Sequence, residues 1–102
     1  MKNRLLAIMS IIILSISVNA DTLKGGYGAC LQKDLFDQLI TASINKDERA
    51  FEYLLKNGCI ITKAGIPITV IDRSWSGTAK IRAYVGNQAF ILWTNNENIQ
   101  KN

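Results

Sequence analysis

"IPITVIDRSWSGTAKIRAYVG", residues 66 to 86, decides how this chain is read. Ile66, Ile68 and Val70 alternate with Pro67, Thr69 and Ile71. Beyond a short break, Ala79, Ile81, Ala83 and Val85 alternate with Thr78, Lys80, Arg82 and Tyr84. A period of two means a strand with one face against a core, and a polar alternate set means the other face is wet. Pro67 cannot donate to a ladder, so its strand begins there or runs along an edge. The turn between the two strands carries Trp75, the side chain most costly to leave in water. Two readings of it stand: a plug folded over the end of a small barrel, or a contact residue beside Arg73 and the strand bearing Lys80, Arg82 and Tyr84.

Downstream, Gly86-Asn87 suits a tight turn into a strand over Gln88 to Thr94. That strand is apolar on both faces, with Ala89, Ile91 and Trp93 on one and Phe90 and Leu92 on the other, so it needs cover on both and Trp93 is expected in the core. Residues 95–102, "NNENIQKN", read as a polar, frayed tail. Upstream, Ile60 to Thr62 is a short strand and Lys63 to Gly65 a turn.

Before Cys59 the period becomes helical. Leu31, Leu35 and Leu39 recur at four-residue steps, flanked by Phe36, Ile40 and Ile44. A second helix over residues 46–56 gathers Ala50, Phe51, Leu54 and Leu55 on one side. Asn45 and Glu48 have the spacing of its reciprocal cap, and Asn57-Gly58 stops it. Residues 21–29, with Gly25, Gly26 and Gly28, read as an irregular, flexible lead-in.

The first twenty residues form a separate unit. Lys2 and Arg4 precede an apolar run over residues 5–18, and Val18-Asn19-Ala20 offers a signal-peptidase site. The run is short for a membrane span, which sets a cleavable signal ending at Ala20 above an uncleaved anchor. Cleavage leaves residues 21–102 as a single domain with no integral membrane segment. Of the twelve Lys plus Arg, two leave with the leader, so ten basic residues face eight acidic ones and the net charge is +2. That near-neutrality, together with export, argues against a nucleic-acid partner.

Cys30 and Cys59 both lie in the exported part, where an even count favours a disulfide. The chain contains no histidine, and two thiolates alone are a poor zinc site, so no metal and no cofactor is expected. Closing a loop of about 30 residues is worth about 3 to 4 kcal/mol in the chain-entropy model. The same absence of histidine, with the cysteines paired, removes the usual base and nucleophile, and the reading is of a chain with no catalytic residues. Asp34, Asp37, Asp47 and Glu48 are accounted for as helix-start charge and solvated face.

The stretch "GCIITKAGIPITVIDRSWSGTAKIRAYVGNQAFILWT" resembles the SH3-like barrels of exported bacterial proteins. Preceded by "ACLQKDLFDQLITASINKDERAFEYLLKNGC", it is similar to small, mostly uncharacterised exported proteins in which a cysteine-bracketed helical pair leads into such a barrel. The fold expectation is α+β: an N-terminal two-helix hairpin over about residues 31–57, packed on an antiparallel SH3-like barrel of four to five strands over about 59–94. The resemblance implies a periplasmic or secreted, non-catalytic binding module of the cell envelope, whose partner is an envelope protein or a cell-wall component. Trp75, Arg73, Lys80, Arg82 and Tyr84 are its candidate contact residues. An inhibitor or immunity protein against a periplasmic or wall-directed enzyme is the alternative, and a structural accessory of an envelope assembly a third class.

The leader and cysteine readings make one joint prediction. Protein recovered from the periplasm should have the intact mass of a chain beginning at Asp21, with no thiol open to alkylation before reduction.

Overall fold

The computed structural model describes residues 20–102 of the protein, so the expected signal segment, apart from Ala20, lies outside the described residues. In chain order the elements are β1 (Thr22–Leu23), β2 (Gly28–Cys30), α1 (Lys33–Ile44), α2 (Glu48–Lys56), β3 (Cys59–Ile61), β4 (Ile68–Arg73), β5 (Thr78–Val85) and β6 (Gln88–Asn95). A 3₁₀ turn (Asn96–Asn98) and β7 (Ile99–Gln100) complete the chain. The protein is α+β, with two helices and antiparallel sheets.

β5 and β6 form the longest ladder, from Thr78 opposite Asn95 to Val85 opposite Gln88. Its inner face carries Ala79, Ile81, Ala83 and Leu92, all buried, as the alternation requires. Val85, at the turn end of the hairpin, is half exposed instead. β4 pairs with β5 through a shift between Val70 and Asp72, and β2 pairs with both β6 and β3, giving the order β3-β2-β6-β5-β4. Leu23, Ile68 and Ile99 join the inner-face residues in one cluster, so the sheet curls around the β1-β7 pair.

A closed barrel does not form. The two sheets are joined by a single bridge, Thr22 opposite Pro67, and the outer strands β3 and β4 do not pair. The physical reason is that β3 has only three residues: past Thr62, whose buried hydroxyl bonds Tyr27 and Asn98, the chain enters the exposed turn from Lys63 to Gly65 and does not run alongside β4. Nor is the helical pair N-terminal. β1 and β2 precede it, and it sits as an excursion between β2 and β3.

A disulfide joins Cys30 to Cys59, which lie directly opposite each other in the β2–β3 ladder with Cα atoms 4.0 Å apart. Strand alternation turns these two sulfurs away from the inner cluster and into a second one with Phe36, Leu39 and Leu54 from the helices. The disulfide therefore sits between the helices and the sheet. At the start of α2 the cap is Asp47, whose carboxylate accepts from the Ala50 N–H at 3.1 Å, whereas Asn45 ends α1. The expected Asn45–Glu48 cap fails because Lys46 takes a left-handed φ of 54° and moves the helix start two residues on.

Both supposedly irregular ends are ordered, and for the same reason. Asn98 is fully buried; its amide nitrogen donates to the Thr62 and Thr94 hydroxyls at 3.0 and 3.1 Å, and its amide oxygen accepts from the Gly25 N–H at 3.0 Å. Those hydroxyls donate in turn to the Tyr27 and Gly28 carbonyls. The glycine-rich lead-in is held in place, and Gly25 is required there: its φ is +87°, and a Cβ would lie 2.5 Å from the Ala64 nitrogen. The tail is not frayed either, since β7 pairs with β1 and Ile99 is buried.

Asn98→Ala should therefore destabilise the fold by about 2 to 4 kcal/mol, through a cavity and an unpaired Gly25 donor. Gln100→Ala, two residues on but exposed, should shift the thermal midpoint little. Paired melting curves check the difference.

Candidate interaction surfaces

Trp75 stands at the tip of the β4–β5 turn and is 99% exposed. A plug is covered by what it plugs, so the core reading of Trp75 is overturned. The turn beneath it is well bonded. Ser74 N–H donates to Thr78 O and Gly77 N–H to Ser74 O, while Asn96 N–H reaches Gly77 O at 2.8 Å. The Ser74 and Ser76 hydroxyls bond one another, and the Asn96 amide accepts from the Arg73 guanidinium at 3.4 Å. The indole is thus presented by backbone fixed from the 3₁₀ turn, which lowers the ordering cost of any contact it makes.

The five expected contact residues do not form one patch. Lys80, Arg82 and Tyr84 share the outer face of β5, as their spacing requires. Arg73 pairs with the inward-facing Ala79, so it belongs to the turn end with Trp75. On the outer face the Lys80 ammonium lies 5.3 Å from the ring centre of Trp93, directly opposite it on β6. This accounts for Lys80 being half buried and for Trp93 being half buried rather than wholly in the core. The helices cover the outer face as far as Trp93 and leave Arg82 and Tyr84 exposed. Asp72 stands opposite Lys80 and dilutes the positive charge of this face.

Tyr84 and Thr69 hydroxyls are 3.0 Å apart. The Thr69 hydrogen bond, and after it that of the Arg82 guanidinium, hold the Tyr84 phenol below its ordinary 10.0, against a smaller opposing effect of desolvation. A depressed value means that the ionised phenol stabilises the fold; the contribution is present above the ordinary value and is lost as pH falls through the folded one.

A third surface escaped the sequence reading. Where the curled sheet fails to close, a cleft of about 500 Å³ opens between β3 and the far end of the β5–β6 hairpin. Leu23, Ala29 and Leu92 line its depth, and Leu31, Ile60, Val85 and Phe90 stand exposed around it. Thr62 is its one polar side chain. The signal is present in the sequence as apolar residues at 31, 60, 85 and 90, but the periodicity places Leu31, Val85 and Phe90 on faces that need cover and gives Ile60 no face at all.

Among the described residues no helix is long and apolar enough to cross a membrane, and no three His, Cys, Asp or Glu side chains gather to hold a metal. No family model matches this chain, and neither a curated protein nor a solved structure does.

Replacing Thr69 with valine should raise the pH at which Tyr84 ionises toward 10.0, read from its ring resonances in a high-pH NMR titration.

Proposed function

We propose that the protein is a non-catalytic binding module exported to the bacterial cell envelope, and that it engages an envelope protein or a cell-wall component through the turn bearing Trp75. One observation carries this reading: an almost wholly exposed indole on a turn held by hydrogen bonds. Tryptophan is enriched among residues that dominate binding energy, and rigid presentation reduces what binding must spend on order. Arg73 lies beside it at the turn end, while Lys80, Arg82 and Tyr84, on the outer face of β5, belong to a separate patch of which Arg82 and Tyr84 are exposed.

Export is supported by the leader pattern and by the Cys30–Cys59 disulfide, a bond that persists in oxidising compartments. A non-catalytic role is supported by the absence of histidine from the sequence and by the engagement of both cysteines in that bond. The SH3-like reading of the fold rests on the strongly curled sheet of β4, β5 and β6 and on the short β1-β7 pair against which it closes one end of the core.

The test is a pull-down from envelope extract with wild type and Trp75→Ala. The variant should melt within a degree or two of wild type, since surface substitutions usually change stability by less than about 0.5 kcal/mol. It should lose affinity for the captured partner by about tenfold or more, the usual effect of removing an anchor. Unchanged capture by a folded variant would remove Trp75 from the interface and the proposal with it. A single stoichiometric enzyme among the captured species, inhibited by the wild type, would move the reading to an inhibitor.

A further inference from the structure

We infer that β3 and the apolar cleft beside it form a second binding site, which takes an extended peptide segment as an added strand. β3 ends the strand order and pairs, among the described residues, with β2 alone. The phase of that ladder is set by two bonds, Leu31 N–H to Gly58 O at 2.8 Å and Thr62 N–H to Tyr27 O at 2.9 Å. Backbone groups alternate in direction along an antiparallel strand. Gly58, Ile60 and Thr62 therefore turn theirs toward β2, and Cys59 and Ile61 turn theirs outward, away from the sheet.

A free edge asks for another backbone, which sets the chemistry of the occupant. The side chains say more. Ile60 pairs with Ala29 and shares its face, so it lines the cleft. A strand laid along β3 would direct alternate side chains into the same cleft beside Ile60, Val85 and Phe90. These must be apolar, because Thr62 is the one polar side chain there. Charge supplies the flanks. Lys56 and Lys63 stand exposed on either side of β3, and neither is in a salt bridge among the described residues. They favour acidic residues at the ends of the incoming segment. They also disfavour a second copy of this chain, because two-fold antiparallel pairing of β3 with itself sets each Lys63 opposite Asn57 and next to Lys56 of the other copy.

The experiment uses a blocked synthetic heptapeptide, EVTVTVE, with an analogue methylated on the backbone nitrogens that would meet β3 and a lysine-flanked counterpart, KVTVTVK. Binding to the full mature protein is measured by calorimetry, with amide shifts mapped by NMR. The expected result is binding of EVTVTVE that shifts Cys59, Ile61, Val85 and Phe90. N-methylation, lysine flanks or Ile60→Lys should each weaken it by about tenfold or more. Ile60 is half exposed, so the variant's melting point separates lost binding from lost folding. Equal affinity for the methylated analogue would reduce the site to an apolar hole and overturn the inference. So would failure of EVTVTVE to bind, or a wild-type dimer abolished by Ile60→Lys, which would make the occupant a second copy.

Discussion

The buried amide of Asn98 is the interaction on which the rest of this structure depends. A single side chain reaches three separate segments: the β1–β2 connection through Gly25, the end of β3 through Thr62, and β6 through Thr94. A buried amide is costly unless its donors and acceptor are all used. Here both donors and the acceptor find partners, and no buried side-chain nitrogen or oxygen among the described residues lacks one. Each threonine passes the bond on to a main-chain carbonyl, Thr62 to that of Tyr27, which also accepts the Thr62 N–H, and Thr94 to that of Gly28, so the network is tied to the backbone of the β2 segment. In a low-dielectric interior such chains of bonds reinforce one another, and they tolerate one arrangement where an apolar contact would tolerate several.

The disulfide complements this by tying the two hydrophobic clusters together at their boundary. Ala29 and Ile60 face the inner side of the sheet, and their sequence neighbours Cys30 and Cys59 face the helices. One cross-strand bond therefore anchors the excursion that carries both helices, at the two points where it leaves and rejoins the sheet. Without it the helices would be held by packing on a small cluster of Phe36, Leu39 and Leu54. For a domain of this size, about 3 to 4 kcal/mol from closing the loop is a large share of the total stability.

What could be read from the sequence was whatever repeats. The alternation from Ala79 to Ala83 fixes the inner face of β5, the four-residue steps through Leu35 and Leu39 give α1, and the even cysteine count gives the disulfide. The misreadings share a different cause. Gly25 and Asn98 lie in segments without a period, and their order comes from bonds between residues 73 positions apart. Composition therefore pointed to a loose lead-in and a frayed tail. Trp75 was ambiguous because exposure depends on what the other elements cover, and here the 3₁₀ turn supports the backbone of its turn without reaching the indole. The cleft was invisible for a related reason: sequence patterns assign apolar residues to faces but do not say whether a sheet closes over them.

The open sheet and the exposed indole are two results of one economy. With 82 residues from Asp21 to Asn102, and twenty-four of these from Lys33 to Lys56 committed to the helical excursion, the remaining chain is too short to shield both faces of every strand. The helices cover the outer face from β3 to Trp93 and stop. The β1-β7 pair fills one end of the inner face and leaves the other as a cleft. A chain selected only to be stable has every reason to put polar residues at positions left uncovered, as this one does with Arg82 on the outer face. At the Trp75 turn and around the cleft it does the opposite, keeping an indole, Leu31, Ile60 and Phe90 in contact with water. Exposed apolar area of that kind gives no folding energy in return, and it recurs singly at Ile44, Tyr53 and Ile71; what sets the turn and the cleft apart is the hydrogen-bonded backbone that holds the indole and the contiguity of the apolar residues around the cleft.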